Sequence, residues 1–97
     1  MKPILECVPN FSEGRRPKII EQIASAIRAI EGVQLLHMDT GYAANRTVMT
    51  FVGEPKYVLE AAFASIKKAA ELIDMRRQTG VHPRMGATDV CPLIPVQ

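Results

Sequence analysis

The sequence is poor in aromatic residues: it has no tryptophan, and aromatic residues make up 5% of it. Sheets that bind single-stranded RNA stack bases on aromatic side chains, and no strand of that kind is present. The 12 Lys and Arg residues against 10 Asp and Glu residues leave a net charge of +2, which is too small to indicate a polyanion-binding surface. We therefore expect no nucleic-acid partner.

Cysteines and long apolar runs are also scarce. Cys7 and Cys91 lie far apart and form no Cys-x-x-Cys pair, which fits a reducing compartment better than a disulfide-rich secreted domain. We interpret both as small apolar strand residues. No apolar stretch approaches the ~20 residues of a membrane span, and the N-terminus lacks the pattern of a signal peptide. The expected location is the cytoplasm, with no membrane partner.

A chain of 97 residues has room for one hydrophobic core, so residues 1–97 are expected to form a single domain. Neither a GxGxxG nor a Walker motif is present, which excludes the usual phosphate cradles. Hydrophobic patterns predict strands near 3–9, 33–40 and 46–53, and a broken strand over 90–96. With two helices the order is β-α-β-β-α-β. It predicts an α+β, ferredoxin-like fold: a four-stranded antiparallel or mixed sheet with both helices on one face.

Two amphipathic helices are predicted from spacings of three and four. The first begins at Pro17 and ends before Gly32, because proline suits a first turn and glycine suits the left-handed residue beyond a helix end. Its buried stripe consists of Ile20, Ile23, Ile27 and Ile30. The second helix follows Pro55. Its predicted buried stripe consists of Leu59, Phe63, Ile66, Ala70 and Ile73.

The apolar run from Val90 to Val96 contains Pro92 and Pro95. Proline has no ladder N–H group, so any strand here is confined to a sheet edge or to broken pairing. The run is followed only by Gln97. We expect a second copy or a partner chain to cover this edge.

The two histidines are candidates for acid–base chemistry, because imidazole titrates near neutral pH. His82 lies in a stretch with two glycines and a proline that predicts a loop, where catalytic groups concentrate, so we favour a functional role. His37 and Asp39 are two residues apart in a predicted strand and share one face. For His37 we favour a polar pair on the sheet over a site.

Two further combinations are disfavoured. His37, Asp39 and His82 lack the spacing of a metal site, so no metal is expected. Ser12, His82 and Asp39 can be written as a catalytic triad, but Ser12 has no strand–turn–helix elbow that would expose a nucleophile.

Three motifs together resemble one enzyme family. They are ECVPNFSEGR at residues 6–15, HMD at residues 37–39 and GVHPRMGATDVCP at residues 80–92. In this order they resemble the N-terminal subdomain of glutamate formiminotransferase, also called glutamate formimidoyltransferase. The resemblance implies transfer of a formimino group from N-formimino-L-glutamate to tetrahydrofolate, in histidine degradation. Tetrahydrofolate is then a co-substrate.

The same resemblance implies a set of site residues. His82 matches the family's catalytic acid/base, and Asp39 belongs to the surroundings of the active site, where it orients the imidazole or stabilises its cation. Arg84 is expected to bind a substrate carboxylate. Asn10 and Arg15 of the first motif are expected to contribute to substrate binding, although a solvated loop is an equal alternative for Arg15.

A transferase of this family is longer than this chain, and part of its folate site lies in sequence that this chain does not have. We therefore expect a subunit of a split enzyme, a truncated form or a shortened relative. Activity would need the missing region, a partner chain or a homo-oligomer. The alternative is a non-catalytic folate- or amino-acid-binding module of the same fold.

Overall fold

The computed structural model describes residues 2–73 and 86–96. Its elements are, in chain order, β1 (Ile4–Cys7), β2 (Asn10–Phe11), α1 (Pro17–Arg28), β3 (Val33–Gly41), β4 (Arg46–Gly53), α2 (Pro55–Leu72), β5 (Thr88–Val90) and β6 (Leu93–Val96). The α+β class is confirmed, α1 and the strands of the central hairpin lie close to the predicted residues, and α2 begins at Pro55 as predicted. Within the described ranges, no helix is both long enough and apolar enough to cross a membrane.

The sheet is curled and antiparallel, and its described part has six strands where four were expected. β1 and β2 lie end to end along one side of β4, and β3 pairs with the other side. β6 pairs with β1, and β5 pairs with β2. Pro9 separates β1 from β2, and Pro92 separates β5 from β6. Because proline has no N–H group to donate to the sheet, each of these two pairs of short strands forms one interrupted row. The six strands therefore form four rows.

α1 has the buried stripe that its period predicts. Ile20, Ile23 and Ile27 are buried, and Ile30 packs partly buried against the same core. Pro17 lies in the first turn, as expected. Gly32, beyond the helix end, has a φ of 91°, a conformation that costs glycine little because it has no Cβ.

The predicted buried face of α2 is wrong. Leu59, Phe63 and Ile66 are 50%, 72% and 38% exposed, and Ala70 is also exposed; of the predicted stripe only Ile73, just after the helix, is buried. The helix instead buries Val58, Ala61, Ala62, Ser65 and Ala69. These smaller side chains allow α2 to pack closely against α1 and the sheet. Close approach of the backbones, rather than side-chain size, therefore sets the orientation of α2.

The helices cover one face of the sheet. On β4, Thr47, Met49 and Phe51 are buried beneath them. The alternate residues Val48, Thr50 and Val52 are only partly buried and point to the opposite face, which we call the open face.

The prediction of an edge strand near the end of the chain is confirmed. β6 is the outermost strand beside β1, and Leu93, Ile94 and Val96 are each more than 40% exposed. Pro95 lies opposite Leu5 in this outer pairing. A row that pairs on one side only tolerates the missing N–H group of proline.

Candidate functional site

A line across the open face joins two of the residues predicted for the site. Asp39 of β3 lies opposite Val48 of β4, and Val48 lies opposite Asn10 of β2. Residues directly opposite each other carry their side chains on the same face. Because adjacent strands are ~4.8 Å apart, Asp39 and Asn10 flank Val48 at a backbone separation of about 10 Å.

A bulge in β3 determines which side chains face this line. The register shifts between Leu35 and His37, and both Leu35 and Met38 pack against the core, which strict alternation would not allow. The bulge brings His37 opposite Thr50 and Asp39 opposite Val48. Both side chains are exposed on the open face.

Asn10 lies where the first row of the sheet is interrupted. Its side-chain Nδ2 donates to the carbonyl oxygen of Val8 at 3.3 Å, and the Met49 N–H donates to the carbonyl oxygen of Pro9 at 3.1 Å. The first contact stays within the interrupted row, and the second joins that row to β4. They fix the half-buried Asn10 side chain on the strand next to Val48.

The first motif contains a buried carboxylate at the start of α1. Glu13 is fully buried, and its Oε2 accepts the N–H groups of Arg15 and Arg16 at 2.9 and 3.0 Å, while its Oε1 pairs with the Arg16 guanidinium at 3.1 Å. The neighbouring Gly14 N–H donates to Asn45 Oδ1 at 2.7 Å. A buried carboxylate needs such donors to offset its lost hydration. This cluster therefore anchors the motif to the β3–β4 hairpin.

The Arg15 side chain lies at the tip of that hairpin. Its Nε donates to the Tyr42 carbonyl oxygen at 2.8 Å, its Nη2 donates to the Ala43 carbonyl oxygen at 3.1 Å, and the guanidinium lies 5.1 Å from the centre of the Tyr42 ring. A solvent-open groove of about 530 Å³ runs along residues 15–19. Three of its five lining residues are basic, but the groove walls are almost entirely apolar. The Arg15 guanidinium donates to the hairpin carbonyl oxygens, and the Arg16 guanidinium pairs with Glu13.

The chain that follows His82 rejoins the described structure beside Ser12. The Ser12 hydroxyl donates to the Gly86 carbonyl oxygen at 2.7 Å, and the Ser12 N–H donates to the Ala87 carbonyl oxygen at 2.9 Å. Asp89 Oδ1 accepts the Gly86 N–H at 3.0 Å. Ser12 is fully buried. It therefore anchors residues 86–89 to the end of β2.

His82 and Arg84, the predicted acid/base and the predicted carboxylate-binding residue, lie outside the described residues. The structure brings Asp39 and Asn10 onto one line of the open face and leaves Arg15 at the hairpin tip. Sequence reasoning missed the anchoring role of Ser12, because a polar residue in a turn-like stretch carries no signal of its distant partners. Among residues 2–73 and 86–96, no group of three or more His, Cys, Asp or Glu side chains is placed to hold a metal ion.

The two cysteines form a close pair that the sequence interpretation also missed. The Sγ atoms of Cys7 and Cys91 are 3.3 Å apart, and both residues are free thiols. The hydrogen bond from Cys7 lowers the pKa of the Cys91 thiol to about 7. The same contact, together with burial, raises the pKa of Cys7 far above its usual range. The contact thus favours ionisation of Cys91 over ionisation of Cys7.

Comparison with known families gives a match to one family model, the formiminotransferase domain, N-terminal subdomain, over residues 4–97. The chain belongs to this family. It is 53% identical over 97 residues to the formimidoyltransferase-cyclodeaminase of Rattus norvegicus. It is 46% identical over 97 residues to the glutamate formimidoyltransferase of Streptococcus pyogenes serotype M1, and 47% identical over 94 residues to that of Thermoplasma acidophilum.

This formiminotransferase subdomain covers only part of its relatives. The matches use 97% to 100% of the chain but 18% of the rat protein, 32% of the streptococcal protein and 31% of the Thermoplasma protein. The family resemblance of the three motifs is confirmed. The chain spans about a third, or less, of the relatives that it matches.

Proposed function

We propose that this formiminotransferase subdomain supplies the acid–base part of a glutamate formimidoyltransferase. The reaction moves the formimino group of N-formimino-L-glutamate to tetrahydrofolate, a step of histidine degradation and one-carbon metabolism. The observation that carries the proposal is the 46% identity to the streptococcal glutamate formimidoyltransferase over all 97 residues. Tetrahydrofolate enters as co-substrate, and the proposal involves no metal ion.

The reaction needs two proton transfers. The tetrahydrofolate amine loses a proton as it attacks the amidine carbon, and the glutamate nitrogen gains one when the tetrahedral intermediate collapses. One imidazole with a pKa near neutral serves first as base and then as acid. We assign this role to His82.

The anchored chain at Gly86 supports this assignment. Gly86 follows His82 by four residues, and a chain of four residues spans at most ~14 Å. Ser12 binds Gly86 and follows Asn10 by two residues, so the span that the sequence allows between His82 and Gly86 includes the Asn10 end of the line. The exposed Asp39 carboxylate then orients the imidazole or stabilises its cationic form.

Substrate binding is assigned to residues that suit carboxylates, because glutamate and the folate tail both carry them. The Arg84 guanidinium carries two parallel N–H donors that can bind both oxygens of one carboxylate. Arg15 is assigned a substrate-binding role on the resemblance alone, since its guanidinium already donates to the carbonyl oxygens of Tyr42 and Ala43. Asn10 offers an amide on the open face. These roles follow the family resemblance residue by residue.

We also propose that the fold is ferredoxin-like. When β1 with β2, and β5 with β6, are counted as single interrupted strands, the rows run β3, β4, β1/β2, β5/β6. This order and the antiparallel pairing support a ferredoxin-like plan. The open face then contributes one wall of the site, and the rest of the folate site comes from another segment or a partner chain.

A non-catalytic binding module is the second candidate. Such a module retains a pocket for folate or an amino acid without the acid–base chemistry.

The test is a chimera in which residues 1–97 replace the matching part of the streptococcal relative. In this chimera, His82→Ala is expected to lower formimino transfer by about 10²–10⁴-fold while tetrahydrofolate binding persists. His37→Ala is the matched control, because His37 is exposed on the open face and has no assigned proton transfer.

Near-normal turnover of His82→Ala, or equal losses in the two variants, would contradict the assignment of His82. A folded chimera that binds tetrahydrofolate but transfers no formimino group would favour the binding module.

A further inference from the structure

Cys7 and Cys91 are brought together by strand pairing rather than by sequence proximity. Cys7 ends β1, where it lies opposite Leu93 of β6, and Cys91 lies between β5 and β6. The Val8 N–H donates to the Pro92 carbonyl oxygen at 3.2 Å, so the backbones next to both cysteines are held together. The resulting Sγ–Sγ distance of 3.3 Å exceeds a disulfide bond by roughly 1 Å.

The two thiols also differ in access and in ionisation. Cys7 is fully buried, whereas Cys91 is half-buried and reaches solvent. The hydrogen bond from Cys7 favours the thiolate of Cys91, which is the reactive form of cysteine. An accessible thiolate beside a buried thiol matches the arrangement of an attacking cysteine with a resolving cysteine.

We propose that Cys7 and Cys91 form a reversible dithiol/disulfide site that small hydroperoxides oxidise. The Cys91 thiolate attacks the peroxide oxygen, which breaks the O–O bond, gives Cys91 sulfenic acid and releases an alkoxide or hydroxide that water protonates. Cys7 sulfur then attacks the Cys91 sulfur, and its proton leaves with the hydroxyl group as water. The two thiols lose two electrons and two protons, and the peroxide takes up both and is reduced to an alcohol or water and a second water.

The disulfide would fasten the outer row of the sheet to β1. The segment from Gly86 to Cys91 links the Ser12 anchor to the edge strand β6. Among the described strands, β5 and β6 pair only with β2 and β1, so the bond would add a covalent link between this outer row and β1. In a reducing compartment the pair rests as the dithiol.

The test treats the reduced 97-residue chain with hydrogen peroxide and then blocks the remaining thiols with iodoacetamide. Trypsin cleaves after Arg15 and Arg84 and leaves the Lys2–Pro3 bond intact. The expected product is therefore peptide 1–15 joined to peptide 85–97, lighter by two hydrogens and separated by a reductant. The crosslink should form at least about tenfold faster in the folded chain than in urea, since folding raises the effective concentration of the two thiols.

Two variants separate the roles of the thiols. Cys7→Ser should leave Cys91 as a sulfenic acid that dimedone traps, because the resolving thiol is gone. Cys91→Ser should leave Cys7 unreactive until the chain is unfolded. Free thiols after peroxide treatment of the folded wild-type chain, crosslinks only between molecules, or equal rates in urea would overturn the proposal even if a variant failed to fold.

Discussion

Gly14 is the residue at which the first motif comes closest to the β3–β4 hairpin. A Cβ at this position would collide with the Gly41 carbonyl oxygen and lie 2.5 Å from the Arg46 N atom. Both atoms belong to backbone that is paired in the hairpin, so they cannot move independently. The Gly14 N–H also donates to Asn45, whose φ of 53° is set by the hairpin turn. Glycine is therefore required here by space, not by its own φ.

Gly14→Ala is expected to destabilise the chain by at least ~1–3 kcal/mol, the cost of overpacking a tight site. Gly41→Ala is the matched control, because the nearest atom to its Cβ would be the Arg46 carbonyl oxygen at an ordinary 3.7 Å. The free energy of unfolding from urea titrations measures both variants. Equal stability of the two variants would show that the close approach at Gly14 is unimportant.

At the residue scale, the sequence predicted part of the site. The motifs identified Asp39 and Asn10, which the structure aligns across Val48. The sequence did not predict the contacts of Ser12 with Gly86, because hydrogen bonds between residues distant in sequence leave no local pattern. His82 and Arg84 lie outside the described residues, so their roles remain predictions.

At the scale of elements, one helix followed its hydrophobic pattern and the other did not. In α1 the large apolar residues lie on one side only, so period and burial agree. In α2 two faces compete: one bears Leu59, Phe63 and Ile66, and the other bears alanines with Val58 and Ser65. Side-chain size favours burial of the first face. The structure buries the smaller residues because they allow close packing of α2 against α1.

This orientation predicts opposite outcomes for two substitutions in α2. Phe63→Ala should change the free energy of unfolding of the isolated chain by less than ~0.5 kcal/mol, since the side chain is 72% exposed. Ala61→Leu should cost ~1–3 kcal/mol, because Ala61 is fully buried and a larger side chain overpacks the contact. Urea denaturation of both variants measures these changes. A large loss of unfolding free energy for Phe63→Ala with none for Ala61→Leu would show that the face predicted from the sequence is the buried one.

At the scale of the whole molecule, the hydrophobic pattern predicted the arrangement of the helices and sheet better than it predicted the number of strands. The two covering helices and the edge position of residues 93–96 follow from periodicity and from the prolines, whereas the sequence left open whether the sheet is antiparallel or mixed. The division of two rows into short strands was not predicted, because the effect of Pro9 and Pro92 depends on which neighbours they face. Exposed apolar side chains on β6 and α2 leave surface that a further chain can cover.

The most direct test of the account measures the turnover of N-formimino-L-glutamate and tetrahydrofolate by the 97-residue chain alone, with sedimentation at the same concentrations. We propose that the chain supplies the acid–base part of a larger site, so the account predicts little or no transfer by the chain alone and association through the β6 edge. Transfer should appear in the streptococcal chimera. A stable monomer that turns over both substrates at an enzyme-like ~1 per second or more would contradict the account.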